Sequence, residues 1–266
     1  MSGLDVTALF DVRGKHAVVT GGSRGIGRMI AEGLVTNGAQ VWITARKADA
    51  CDATAAELNA LPGDGACRSL PADLSDPAGL TAFVDALRAD TDAVDILVNN
   101  AGATWGAPLD EFPESGFDKV MDLNVKAPFL LTRALHDALR RNATTDDPSR
   151  VVMIGSIDGL RVPVTDNFPY SASKAGIHML TRHLARTLVG EHITVNAIAP
   201  GPFESKMMAF ALDDPASRTL IEQSVPRGRI GTPEDMAGTV LFLCSRAGAY
   251  LTGTVIPVDG GISTTS

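Results

Sequence analysis

The sequence predicts an α/β fold: a doubly wound parallel sheet with helices on both faces, formed by a single domain over residues 1–266. Three observations predict it. Short apolar runs alternate with helix-length segments along the chain. Most of those runs are near-continuous in Val, Ile and Leu, as in strands covered on both faces, rather than alternating inward and outward. A glycine cluster, Thr20-Gly21-Gly22-Ser23-Arg24-Gly25-Ile26-Gly27, falls between the first run and the first helical stretch.

Strands are expected over residues 16–20, 41–44, 67–71, 96–99, 151–154, 194–198 and 254–258. Helices are expected over 25–37, 51–60, 76–90, 114–141, 171–190 and 233–245. Asp76 before Pro77 and Thr232 before Pro233 have the form of an N-cap followed by proline in the first turn, where the missing N–H has no intrahelical partner to lose. The strand–helix–strand repeats imply right-handed crossovers. Residues 142–149 form a polar loop too short to be a linker. The segment from about 201 to 226 interrupts the alternation and carries Phe203, Met207, Met208 and Phe210. Two compatible readings are open for it: a small amphipathic subdomain filling a gap, or a lid over substrate.

Composition narrows the function. With 266 residues, 45% hydrophobic and 20% charged, the chain has the balance of a globular enzyme domain. A net charge of -8 without a block of Lys and Arg argues against a nucleic-acid partner. No apolar run approaches the ~18 residues of a membrane span, and residues 1–10 lack the basic and apolar regions of a signal peptide. Cys51, Cys67 and Cys244 are far apart without C-x-x-C spacing, which fits reduced thiols in a cytoplasmic protein. The five histidines are scattered, and His178 and His183 lie five apart, off a common helical face, so no metal site is expected.

The glycine cluster carries the first chemistry. Glycines let backbone approach a pyrophosphate, and a helix N-terminus offers free N–H groups and the positive end of its dipole. Placed between strand and helix, the G-x-x-x-G-x-G turn marks a dinucleotide site of Rossmann type, although a tight turn without ligand has the same composition. The second strand ends at Thr44-Ala45-Arg46-Lys47, where an NAD-binding chain would carry an acid. Arg46 and Arg24 together offer forked donors to a 2′-phosphate, so NADP(H) is the expected cofactor.

Tyr170-Ser171-Ala172-Ser173-Lys174 carries the second. Residues four apart share a helical face, and a nearby ammonium favours phenolate, so Lys174 is expected to lower the Tyr170 pKa from about 10 and fit it for proton transfer to or from an alcohol. Ser156 follows the strand at 151–154, where carboxyl ends face the ligand crevice; it is there to hold a substrate oxygen or simply to end the strand. Asn124 falls mid-helix, either as a polar residue that interrupts the helix or as the holder of a water beside Lys174.

These residues, with Asp73-Leu74, Asn99-Asn100-Ala101-Gly102, Pro200-Gly201 and Val258-Asp259-Gly260-Gly261, resemble the short-chain dehydrogenase/reductase family from about Arg13 to Gly261. The resemblance implies a catalytic tetrad of Asn124, Ser156, Tyr170 and Lys174, with Tyr170 as general acid and Lys174 also bonding the nicotinamide ribose. It implies cofactor contacts from Gly21, Ser23, Arg24, Gly25, Ile26, Gly27, Arg46, Asp73, Leu74, Asn100, Ala101, Gly102, Pro200, Gly201 and Ser205, and a homotetramer.

Within the family the chain is similar to 3-oxoacyl-(acyl-carrier-protein) reductases, which implies NADPH-dependent reduction of a β-ketoacyl thioester, with an acyl-carrier protein as partner. Trp105, Asp158, Phe203 and Met207 are the expected substrate contacts; Arg140 and Arg141 offer a basic docking patch or a solvated helix end. Asp158 and Glu191 depart from the carrier-protein reductase pattern and keep a sugar, polyol, steroid or small cyclic ketone open as substrate. A non-catalytic NADPH-binding regulator is the remaining alternative.

Overall fold

The structure, a computed structural model, describes residues 5–206 and 208–265. In chain order its main elements are α1 (Val6–Leu9), β1 (His16–Thr20), α2 (Gly25–Thr36), β2 (Gln40–Thr44), α3 (Ala48–Asn59), β3 (Ala66–Ser69), α4 (Pro77–Asp90), β4 (Ile96–Asn99) and α5 (Glu114–Met121). A π-helical turn (Asp122–Lys126) leads to α6 (Ala127–Ala134), α7 (His136–Arg140), β5 (Ser149–Ile154), α8 (Phe168–Leu188), β6 (Ile193–Pro200), α9 (Ala209–Leu212), α10 (Pro215–Ser224), α11 (Pro233–Cys244), β7 (Val255–Val258) and α12 (Ile262–Thr265). Among the described residues no helix is long and apolar enough to cross a membrane.

The seven strands make one parallel sheet in the order β3-β2-β1-β4-β5-β6-β7. The chain winds outward from β1 to β3, then returns and winds the other way from β4. The crevice at this reversal, at the carboxyl ends of β1 and β4, is where ligands bind in such sheets.

Burial on both faces explains the apolar strands. Val19, Ile43, Val98, Val152 and Ile198 face one layer with Ile30 and Leu34 of α2 and Val240 and Leu243 of α11. Their neighbours Val18, Trp42, Leu97, Val151 and Ala197 face the other, with Phe83 and Leu87 of α4, Leu131 of α6 and Ile177 of α8. Gly33 lets α2 and α11 meet closely, since a Cβ there would lie 2.6 Å from that of Ala237.

Local signals act as expected at the helix starts. Asp76 caps α4 by accepting from the Gly79 N–H at 2.9 Å. At α11 the Thr232 N–H donates to the Asp235 carboxylate at 2.8 Å. The helix expected over 114–141 is instead broken by the π turn, which holds Asn124. The helix expected from 171 starts at Phe168, with Pro169 in its first turn. Within 201–226 lie two short helices; Asp214 caps α10 through the Ser217 N–H at 2.8 Å.

His178 of α8 is buried beneath Gly155, where any side chain would collide with its imidazole. Burial, helped by the charges of Lys174 and Arg182 and opposed by a hydrogen bond at Gly159, pushes His178 down to about 4. The unfolded chain therefore takes up this proton first. The His178 contribution is complete above pH ~6.5 and is lost as the pH falls toward ~4, a change of about 3 kcal/mol. Urea titrations between pH 7 and 4 should show a shallower loss of stability in His178→Asn than in the native protein; equal slopes would contradict this assignment.

Candidate active site

Thr20 ends β1 and locks it to β4. Its Oγ1 accepts from the N–H groups of Asn100 and Ala101, both at 2.9 Å. The Asn100 amide donates back to the carbonyl oxygens of Thr20 at 2.8 Å and Gly21 at 3.3 Å. The two strand ends that flank the crevice are thus one hydrogen-bonded unit.

The glycine turn sits on that unit. Gly21 has φ +66°, and a Cβ on it would lie 2.9 Å from Asn100 Nδ2. A Cβ on Gly27 would run into the Gly21 carbonyl. Gly25, at φ +52°, opens α2, so the N–H groups of Gly25, Ile26 and Gly27 belong to a helix N-terminus, which leaves such donors free for an anion. Ser23 lies between, and its carbonyl accepts from Thr54 at 3.0 Å. Ser205, on the segment after β6, lies against Gly25 from the opposite side.

Arg24 and Arg46 are exposed at the ends of the turn and of β2, and no ion pair among the described residues engages either. Burial opposes ionisation of Asp73, but hydrogen bonds from Ser75 and the charge of Arg46 outweigh it and hold the carboxyl below its ordinary value. Leu74 is buried beneath this rim. At the other end of the crevice Pro200 closes β6, and the Gly201 N–H donates to Val258 at 3.0 Å.

Tyr170 and Lys174 project from one face of α8. Lys174 is 5% exposed; its Nζ lies 5.5 Å from the centre of the Tyr170 ring and donates to the Ile154 carbonyl at 2.8 Å. Ser156 starts a 3₁₀ turn (Ile157–Gly159), accepts from the Asp158 N–H at 3.1 Å and shares a hydrogen bond with the Tyr170 phenol. Gly159 presses this turn onto the α8 backbone at Lys174.

Asn124 is buried in its π turn, a helix irregularity common at functional sites. Its Nδ2 donates to the Ala103 carbonyl and to Ser173 Oγ, both at 2.9 Å, and its Oδ1 accepts from the Ala103 N–H at 2.8 Å. A Cβ on Gly102 would lie 3.2 Å from Asn124 Oδ1 and 3.8 Å from Lys174 Nζ, so Asn124 and Lys174 meet at this glycine, while Ser156 and Tyr170 share their own hydrogen bond.

The electrostatics correct one expectation. Burial pushes the Tyr170 phenol up to about 12, against the Ser156 hydrogen bond and helped by the Asp158 charge. Burial also pushes Lys174 down to about 8. Desolvation thus overrides the expected lowering by the ammonium, and Tyr170 stays an acid in the free protein. Lys174 has three N–H donors and one protein acceptor, which suits added oxygens at the crevice. With the glycine turn and two arginines that no ion pair among the described residues engages, this donor set fits a phosphorylated dinucleotide.

The expected substrate residues separate. Asp158 is half-buried beside Ser156 and is hydrogen-bonded to the Asn167 side chain. The Trp105 ring rests on Gly116 of α5, with Lys119 Nζ 5.1 Å from its centre. Phe203 does not present its ring as a substrate contact: it is 2% exposed and packs into the core against Gly231, to which it bridges beside the sheet. Met207 lies outside the described residues. Arg140 and Arg141 do not form a free basic patch: Arg140 pairs with Glu191 at 2.9 Å and Arg141 with Asp92 at 3.2 Å.

Thr20, Ser173 and Asn167 are site residues that the motifs did not single out. Ser173 lies inside the Tyr-to-Lys pattern, and its inward placement was readable from helical spacing alone. Leu160, Val162, Val164 and Phe168 form an exposed apolar rim after the Ser156 turn; Phe168 meets Phe112 edge-on at 5.8 Å.

The family model described as enoyl-(acyl carrier protein) reductase matches residues 21–263. A rhamnolipid-biosynthesis 3-oxoacyl-(acyl-carrier-protein) reductase of Pseudomonas aeruginosa is 49% identical over 252 residues, 95% of this chain and 97% of that protein. A 3-oxoacyl-(acyl-carrier-protein) reductase of Escherichia coli is 36% identical, over 94% and 97%. The solved Pseudomonas aeruginosa RhlG/NADP active-site complex superposes with a TM-score of 0.92 at 48% identity, covering 96% of this chain and 99% of that one. A short-chain type dehydrogenase/reductase from Mycobacterium marinum follows at TM-score 0.88 and 30% identity, over 98% of this chain and 100% of that one. A strand order, glycine turn and tyrosine–lysine helix of this kind, matched over nearly the whole length, mean that the chain belongs to the short-chain dehydrogenase/reductase family.

Proposed function

We propose that this protein reduces a β-ketoacyl thioester to the β-hydroxyacyl form, using NADPH. The observation that carries the reading is the convergence of Ser156, protonated Tyr170 and buried Lys174 beside a glycine turn flanked by Arg24 and Arg46. The relatives named 3-oxoacyl-(acyl-carrier-protein) reductases support the substrate, and the NADP complex supports the cofactor.

When bound, NADPH supplies the hydride. In this reading Gly21, Ser23, Gly25, Ile26 and Gly27 receive its pyrophosphate, and Arg24 and Arg46 its 2′-phosphate. Asp73 and Leu74 border the adenine, and Asn100, Ala101 and Gly102 form the floor. Pro200, Gly201 and Ser205 border the nicotinamide end, and Lys174 holds the ribose. Ser156 and Tyr170 grip the substrate carbonyl oxygen, and Tyr170 releases its proton to that oxygen as the alcohol forms. Lys174 and Asn124 hold the donors that return a proton to Tyr170.

The exposed apolar side chains of Leu160, Val162, Val164 and Phe168 support an acyl substrate, over which this reading sets the segment from about 201 to 226 as a lid. Carrier-protein thioesters, with coenzyme A thioesters as the alternative form, are the substrates this reading assigns. A homotetramer in the cytoplasm completes it. The half-exposed edge strand β7, beside a cleft of about 820 Å³ lined by Pro226, Ile256 and Val258, supports a covering subunit there.

NADPH oxidation with acetoacetyl thioesters, keto sugar acids, oxosteroids and cyclic ketones tests the substrate class. Strong turnover of another class without thioester turnover overturns it. Tyr170→Phe should lower kcat at least ~100-fold with NADPH affinity within about threefold, because general acid catalysis is worth that much; Lys174→Ala should damage both. Native rates in either variant would contradict the roles. Arg46→Asp should weaken NADPH about tenfold or more while leaving NADH nearly unchanged, as read by fluorescence titration; an equal loss for both cofactors would count against the 2′-phosphate contact.

A further inference from the structure

Ser156 has to hold its hydroxyl in line with both Tyr170 and a substrate oxygen, so whatever fixes the turn behind it bears on the reaction. That turn, Ile157–Gly159, is gripped from two sides. On one side Gly159 lies against α8: a Cβ on it would be 2.5 Å from the Lys174 carbonyl carbon. On the other, the Ile157 side chain is buried with Val225 and Ile262. These three form an apolar cluster of their own, apart from the two layers that flank the sheet. They come from three separate parts of the chain: the serine turn, the residue that closes α10 and the first residue of α12.

The C-terminal turn holds that cluster together. The Asp259 carboxylate accepts from the N–H groups of Gly261 at 2.9 Å and Ser263 at 2.7 Å, which bends the chain from β7 into α12 and brings Ile262 to the cluster. A Cβ on Gly260 would lie 2.5 Å from Val225 Cγ1, and the Gly260 carbonyl accepts from the Arg227 N–H at 3.2 Å, so the same turn is fastened to the chain just after α10. Asp259 also packs on Gly201, where a Cβ would lie 2.8 Å from the Asp259 Cα. Both ends of the segment from about 201 to 226, and the serine turn, therefore rest on one short stretch of chain from Asp259 to Ile262.

We propose that Ile262 is a positioning residue for the reaction: packed with Ile157 and Val225, it holds the Ser156 turn against α8 and so keeps the serine hydroxyl aligned with the phenol. The proposal rests on the reading of Ser156 as a grip on the substrate carbonyl oxygen and names what makes that grip rigid. Apolar contacts are not directional, but a close-packed cluster leaves the turn no room to shift without opening a void. Truncation of Ile262 opens that void beside Ile157, the residue that follows the serine. A displacement of about 1 Å at a reacting group costs on the order of 100-fold in rate. Because the cluster stands apart from the two main layers, its loosening reaches the serine before it reaches the sheet.

A residue that only stabilises the C-terminus predicts something different. Its truncation would lower the amount of folded protein, or scale turnover by the same factor whether or not the serine hydroxyl is present. A residue that acts through Ser156 loses its effect once that hydroxyl is gone.

The test is a double-mutant cycle on the holoenzyme, with NADPH and the carbonyl compound of the panel above that it turns over fastest. Ser156→Ala should lower kcat about 100-fold, the usual loss for one donor to a reacting oxygen. Ile262→Ala should lower kcat about tenfold beside native Ser156 and less than about twofold in the Ser156→Ala background, with KM for NADPH within about threefold. Ile262→Val should recover most of the loss, and Val225→Ala should show the same dependence on Ser156. Urea titration of each variant separates folding from positioning. Should Ile262→Ala not fold, Ile262→Val and Val225→Ala carry the same comparison with smaller factors. Equal factors in the two backgrounds, or no loss of kcat in any folded cluster variant, overturn the proposal. Native turnover in Ser156→Ala overturns the underlying reading of the serine instead, so the two failures are distinct.

Discussion

A lysine ammonium buried without a counter-ion sets the terms for the rest of this molecule. Among the described residues Lys174 hydrogen-bonds one backbone carbonyl, that of Ile154, and forms no ion pair with an acidic side chain. Burying an ion in this way costs several kcal/mol, and its lowered proton affinity reflects that cost. The surroundings hold it there by close fit. Gly159 presses the Ser156 turn against the Lys174 backbone, and Asn124 ties the Ala103 backbone to Ser173 of the same helix as Lys174. The β5 terminus supplies the acceptor. Each of these contacts relies on a parallel strand ending at the crevice, so the chemistry and the sheet topology are one arrangement.

The same economy governs the cofactor end. Thr20 and Asn100 weld the ends of β1 and β4, and the glycine turn is packed so tightly on them that side chains at Gly21 or Gly27 would collide with that joint. The positive φ values at Gly21 and Gly25 aim the start of α2 into the crevice. Around the phenol burial comes first: it pushes Tyr170 up, opposed by the Ser156 hydrogen bond and helped by the Asp158 charge. A proton-donating tyrosine follows from burial and that carboxylate together, not from the ammonium alone.

Much of this was legible in the chain. Strands covered on both faces carry near-continuous apolar runs, so His16–Thr20 and Ile96–Asn99 stand out with their observed bounds. The tyrosine–lysine spacing and the glycine cluster are local patterns on single elements, and the topology brings them together. Features set by tertiary packing were less readable. Nothing in Asp122–Lys126 announces a π turn, because its widened spacing is imposed by Asn124 reaching for Ala103 and Ser173. Phe203 has the composition of a substrate contact, but the bridge to Gly231 draws it into the core. Arg140 and Arg141 carry a docking charge on paper, yet Glu191 and Asp92, distant in sequence, neutralise them. Asp214-Pro215 repeats the Asp76-Pro77 signal and marked α10 all along. The Tyr170 shift is not readable from the chain, because sequence pattern reports the neighbouring charge but not the loss of water.

The buried ammonium can be measured directly. The chain has six lysines, so the side-chain nitrogen resonance of Lys174 in ¹⁵N-lysine protein is assignable with a single Lys174→Arg variant. In the cofactor-free protein this nitrogen should titrate at about 8. A midpoint near the ordinary lysine value of about 10.4 would mean the amine is hydrated or paired, and would contradict the desolvated site on which this account depends.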